Sequence, residues 1–197
     1  MGSTKEDILR VSLHLFAKDG YEAVSVSQIA GALGMTKGAL YRHYQNKRDI
    51  FLSIVKRMEQ GDTEQAQDHD MPEKYDEISL KDFAGYSKSM FLYWTEDDFA
   101  SSFRKMLTLE QFRSEEMQQL YQQYLVSGPS EYVKDLFEHM GISPAKELAA
   151  QFYAVMFFFY SLYDGAKDKD EVKKQFETTL DEFAKKLLVG GKNDEQL

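Results

Sequence analysis

Apolar positions recur three and four residues apart along most of this chain, and only three prolines interrupt it. Leu80, Phe83, Ala84, Ser87, Phe91 and Trp94 form one such stripe, widened by Tyr86, Met90 and Tyr93. A helix is predicted from about Phe99 to Phe112 and another from about Ser114 to Val126. Gly128, Pro129 and Ser130 predict a break or kink before Tyr132, Val133, Leu136, Phe137 and Met140 resume the pattern. Residues 145 to 163 are apolar almost all round, which predicts a helix that cannot sit on a surface. The last predicted helix, about Asp170 to Leu188, carries a stripe at Val172, Phe176, Thr179, Leu180, Phe183 and Leu187 with lysines and acids on its back. Residues 61 to 78 are polar and charged, and predict the end of a fourth helix followed by a loop at Met71 and Pro72. The fold class is therefore all-α, with about nine helices.

Closer spacing of breaks marks the stretch before that loop. Ser25 and Gln28 have the spacing of a capping box, and Val26, Ile29, Ala30 and Leu33 then share one face of a two-turn helix. Gly34 stands where that helix must stop, because glycine takes a left-handed conformation without a Cβ penalty. Gly31, inside the helix, should cost it about 1 kcal/mol relative to alanine. Thr36 suits the N-cap of a third helix whose inward positions are Leu40 and Tyr44. Asn46 and Asp49 then cap the fourth, with Lys47 in its first turn, where a cation opposes the helix dipole unless a phosphate occupies the same end. Lys37, Gly38, Tyr41 and Arg42 are left facing outward. That set suits a DNA major groove: cations for guanine edges, a glycine for close approach, and a ring for thymine methyls.

The span from Ile8 to about Val55, with ILRVSLHLFAKDGYEAVSVSQIA followed by LGMTKGALYRHYQNKRDIF, resembles the N-terminal domain of TetR-family transcriptional regulators. The resemblance implies an N-terminal three-helix helix-turn-helix DNA-binding domain over 1–57 and a helical ligand-sensing and dimerisation domain over 58–197. It assigns Lys37, Gly38, Tyr41 and Arg42 to base reading, and Ser25, Ser27, Thr36, His43 and Lys47 to phosphates. It further implies a homodimer on a palindromic operator, most simply a repressor released by a small molecule. The last two helices resemble the family's dimer-forming hairpin, which places Phe152, Met156, Phe159, Phe176, Leu180 and Phe183 at the interface.

The middle helices are expected to hold the effector, apolar or aromatic in character. Trp94, Phe103, Met106, Leu107, Phe112, Met117, Tyr121 and Tyr124 supply the aromatic and methionine side chains of an adaptable pocket, although each taken singly could be plain core. Glu110 reads as solvated, with a buried acceptor for a cationic or hydroxylated ligand as the alternative. Charged runs at Glu96 to Asp98 and Lys167 to Glu171 read as caps and solvated loops, and His14 as an exposed position on the first helix.

Charge divides along the same line. The first 60 residues hold nine Lys and Arg against six Asp and Glu, a net of +3, and the remainder hold 15 against 27, within a total of −9. A basic N-terminal part can hold phosphates while the acidic body faces away. The 43% hydrophobic content can build a real core. The absence of cysteine excludes disulfides, thiolate metal sites and cysteine nucleophiles, and four scattered histidines predict no metal site and no cofactor. No run approaches the roughly 20 apolar residues of a membrane span, and the N-terminus lacks a signal peptide's core, so the expectation is a cytoplasmic protein without enzymatic activity. The alternatives are a helical-bundle enzyme or small-molecule carrier, and an adaptor that uses the three-helix head to bind a protein.

Overall fold

The computed structural model describes residues 5–68 and 79–190, with side chains over 5–61 and 79–187. The loop expected at Met71 and Pro72 lies outside the described residues. Among those described, every regular element is a helix: α1 (Lys5–Asp19), α2 (Val26–Ala32), α3 (Lys37–Tyr41), α4 (Lys47–Asp68), α5 (Leu80–Glu96), α6 (Asp98–Glu110), α7 (Glu115–Leu125), α8 (Ser127–His139), α9 (Ala145–Gly165) and α10 (Lys169–Gly190).

Most boundaries follow from local chemistry. Asp97 accepts from the amides of Phe99 and Ala100 at 3.0 and 2.8 Å and so starts α6. Ser114 accepts from Met117 N–H at 3.2 Å at the start of α7, and Asp168 from Glu171 N–H at 3.0 Å at the start of α10. The path breaks before Tyr132 as the sequence predicts, but at Val126, between α7 and α8, and Gly128 and Pro129 lie in the first turn of the helix that follows. Proline is tolerated in a first turn because its missing N–H would have no intrahelical partner there. Glycine is needed beside it, since a Cβ at Gly128 would lie 2.0 Å from the Gln123 carbonyl oxygen at the end of α7.

The chain forms two compact units. One combines α1–α4 with α6 and most of α7, residues 97–121. In it, α1 packs on α2, α4 and α6, and its core holds Ile8, Leu13, Phe16, Ile29, Leu40, Ile50, Phe51, Ile54 and, from α6, Phe103, Met106 and Leu107. The other combines α5 with the end of α7 and α8–α10. Its core is aromatic: Phe91 stacks on Phe176 at 4.1 Å between centroids, and Phe152 meets Phe83 at 4.8 Å and Phe183 at 5.8 Å.

Candidate nucleic-acid interface

The capping box expected at α2 is closed in both directions: Ser25 N–H donates to Gln28 Oε1 at 2.7 Å, and Gln28 N–H to Ser25 Oγ at 3.2 Å. Thr36 Oγ1 accepts from Ala39 N–H at 3.1 Å at the start of α3. In both caps the hydroxyl oxygen accepts, and the hydroxyl can still donate its own hydrogen to an external acceptor such as a phosphate oxygen. Gly34, at φ +63°, makes the turn between α2 and α3. Asn46 Oδ1 accepts from Asp49 N–H at 2.9 Å, and Asp49 Oδ2 from Gln45 N–H at 2.9 Å, starting α4.

With α3 so placed, Leu40 and Tyr44 are buried and Lys37, Gly38, Tyr41 and Arg42 are exposed. Lys37 Nζ lies 5.7 Å from the centre of the Tyr41 ring, which joins cation and aromatic into one outward patch. A Cβ on Gly38 would meet nothing within 4 Å, so no internal packing requires glycine there. Ser25, Ser27 and Thr36 are exposed and His43 is half-buried.

Lys47 differs from the other residues expected at phosphates. Its ammonium donates to the Tyr21 carbonyl at 2.8 Å and the Glu22 carbonyl at 3.3 Å, and lies 4.3 Å over the Tyr21 ring. The neighbouring Arg48 forms a two-point pair with Glu116 of α7 at 2.8 and 2.9 Å. That pair holds the Glu116 carboxyl below the usual carboxylate range and pushes the guanidinium up. His14 is exposed as expected and pairs with Asp98 at 2.8 Å.

Two residues expected near an effector differ in burial from what their sequence context suggests. Phe112 is 90% exposed. Helix α6 ends at Glu110, so the helical spacing that carried the stripe no longer governs residue 112. Glu110 is not solvated: it is 2% exposed and accepts from Tyr21 N–H at 3.1 Å. Phe103, Met106, Leu107, Met117 and Tyr121 are buried in the first unit, and Trp94 and Tyr124 in the second.

The six residues expected at a dimer interface lie mostly inside the single chain. Phe152, Met156, Phe159, Phe176 and Leu180 are buried within the single chain, and Phe183 is half-buried against Phe152. They face inward because α9 and α10 pack on α5 and on each other. What α9 exposes instead is Phe157, Phe158 and Leu162, with Ala150, Ala154 and Ser161 at helical spacing beside them. No described helix is long and apolar enough to cross a membrane, and no described cluster of His, Asp or Glu could hold a metal ion.

Residues 8–54 match the bacterial regulatory proteins of the tetR family. The HTH-type transcriptional regulator AcrR of Shigella flexneri is 43% identical over 51 residues, 26% of this chain and 24% of that protein, so the match spans about a quarter of the relative's length. Across nearly the whole chain the likeness is one of fold. A transcriptional regulator from Aquifex aeolicus VF5 superposes with a TM-score of 0.71 at 18% identity, covering 91% of this chain and 98% of that one. AibR, solved with isovaleryl coenzyme A and operator DNA, superposes with a TM-score of 0.61 at 18% identity over 89% and 96% of the two chains.

Proposed function

Because the chain belongs to the TetR family of bacterial regulatory proteins, we propose that it is a sequence-specific, ligand-responsive DNA-binding regulator, most simply a repressor, working as a cytoplasmic homodimer. The carrying observation is the exposed set Lys37, Gly38, Tyr41 and Arg42 on a helix capped at Thr36 and seated by Leu40 and Tyr44. A cation, a bare backbone and an aromatic ring on one short helix are what a major groove can use. Ser25, Ser27, Thr36 and His43 surround that set as phosphate donors, and Lys47 sits behind it.

The division of labour runs at about residue 57. Residues 1–57 read DNA, and residues 58–197 sense an effector and form the dimer. A protein of the same fold has been solved with both an acyl coenzyme A and operator DNA, so the fold accommodates effector and duplex together. The effector is apolar or aromatic and is taken by buried side chains of α6 and α7, among them Met106, Met117 and Tyr121, because methionine and aromatic surfaces adapt to such ligands. The second copy docks on the exposed α9 stripe of Phe157, Phe158 and Leu162, an apolar surface on a helix whose opposite face is core. Effector and operator then oppose one another through one coupling free energy, each weakening the other by the same factor.

The test is selection from a random duplex library at physiological salt. Enrichment of an inverted repeat establishes the regulator and gives its operator. No enrichment, together with binding that stays weak as salt is lowered, rejects the assignment, because counterion release makes any phosphate-holding surface bind more tightly at low salt.

A further inference from the structure

Helix α1 closes on Gly20, whose amide donates to the Phe16 carbonyl at 3.0 Å and whose φ is +88°. The next amide is given to a distant side chain: Tyr21 N–H donates to Glu110 Oε1, 89 residues away in sequence. Glu110 is the last residue of α6, and its carboxylate reaches the turn only because residue 20 has no side chain. A Cβ there would stand 2.8 Å from Oε1. The carbonyl of the same Tyr21 accepts from Lys47 of α4 at 2.8 Å. One residue of the α1–α2 turn is thus gripped through its N–H by α6 and through its C=O by α4.

That grip lies close to the reader. Tyr21 is followed within four residues by Ser25, the cap of α2, and α2 packs directly on α3. The Tyr21 ring is itself fixed, 5.1 Å from Phe16 and 5.2 Å from Phe51. A carboxylate at the C-terminal end of a helix works against the helix dipole, and burial adds a desolvation cost. Glu110 is therefore a poor source of stability. What it supplies is a short-range, directional, charge-assisted bond to one amide. The Arg48–Glu116 pair also joins α4 to this corner, but both side chains are largely exposed, and such pairs contribute little.

We propose that Glu110 is a positioning residue for the DNA reader: through the Tyr21 amide it ties the α1–α2 turn to the end of α6 and so fixes where α2, and α3 packed on it, are held. The proposal rests on α3 being the DNA-contacting helix. The test compares full-length wild type with Glu110→Ala, Glu110→Gln and Glu116→Gln. The measurements are affinity for the duplex that wild type selects, affinity for random duplex, thermal midpoint, and amide hydrogen exchange over residues 25–41. Glu110→Ala should bind the selected duplex about tenfold or more weakly and exchange faster over 25–41, whereas Gln, which keeps an acceptor for the amide, should restore binding to within about threefold. Binding of random duplex, which depends on charge rather than on geometry, should change by less than about twofold, and Glu116→Gln should resemble wild type.

A lowered midpoint in Glu110→Ala with unchanged affinity and unchanged exchange over 25–41 means a structural role only, and overturns the proposal. Wild-type behaviour of Glu110→Ala in every measurement overturns it too. If wild type itself selects no duplex, the DNA assignment falls, and exchange alone decides the positioning role. Faster exchange over 25–41 in Glu110→Ala then supports it, and unchanged exchange rejects it.

Discussion

A Cβ at Gly38 would touch nothing, and glycine inside a helix is worth about 1 kcal/mol less than alanine, so α3 carries a destabilising residue that its own packing does not require. If the reason lies outside the chain, in the approach of a base edge, Gly38→Ala should raise stability by up to about 1 kcal/mol and at the same time weaken the selected duplex. Denaturant unfolding and duplex titration on one preparation check both signs. Improvement or indifference in both would remove Gly38 from the interface. The two lysines separate on similar grounds. Lys37 is exposed beside Tyr41, so Lys37→Ala should relax preference at one base position and cost about 1 to 3 kcal/mol of specific binding with no change in thermal midpoint. Lys47 holds the Tyr21 and Glu22 carbonyls, so Lys47→Ala should lower the midpoint and weaken the selected duplex more than random duplex. Equal losses on specific and random DNA from both variants would erase the distinction. The outward set was legible from sequence because cap, turn glycine and helical spacing fix which side of a short helix faces out. Glu110 was not, because its partner is a backbone amide 89 residues away, and nothing local to residue 110 betrays that.

At the scale of elements, α9 shows where hydropathy stops being informative. A helix apolar all round must be covered on every side, yet cover from the same chain and cover from a second copy leave the same composition. Sequence therefore located the helix but could not tell that Phe176 and its neighbours are covered by their own chain. The structure separates side chains buried within the chain from those that α9 exposes, and substitution tests which of them a second copy needs. Phe176→Ala should cost about 3 to 5 kcal/mol of stability, as expected for an aromatic buried between Phe91 and Phe159. Phe158→Lys, at a position 59% exposed in the single chain, should leave folding intact and shift sedimentation toward monomer. A stable dimer in that variant would move the interface elsewhere. Acid should loosen the same unit one turn away from Phe176. Glu96 closes α5, where its hydrogen bond from Lys173 of α10, and then that from the Tyr163 hydroxyl of α9, hold its carboxyl below the ordinary glutamate range. A depressed carboxyl stabilises fully above the ordinary range, and that contribution is lost as pH falls through the folded-state value. Thermal midpoints of wild type should thus fall more steeply with acid than those of Glu96→Gln; parallel curves would remove Glu96 from the account.

For the whole molecule, charge and symmetry act on one observable. The first 60 residues carry a net +3 and the remainder a net −12, so a reader of the proposed kind would meet DNA with few cations, and the acidic remainder would repel the duplex at longer range. Under the proposed function such a chain gains little from nonspecific attraction, and specific affinity has to come from engaging two half-sites together. The second half-site is then met at the effective concentration set by the dimer rather than at that of free protein, worth on the order of a hundredfold or more. Phe158→Lys leaves every α3 residue untouched. It should nonetheless bind an inverted repeat about a hundredfold more weakly than wild type, with affinity for an isolated half-site unchanged. The added lysine is itself a cation and would, if anything, favour DNA, so a loss of this size cannot come from the charge change. Half-site and repeat should be titrated at the same salt, since unequal ionic strength alone shifts either value. If the variant keeps full affinity for the repeat while sedimenting as a monomer, the two readers bind independently. The spacing of the operator would then owe nothing to α9.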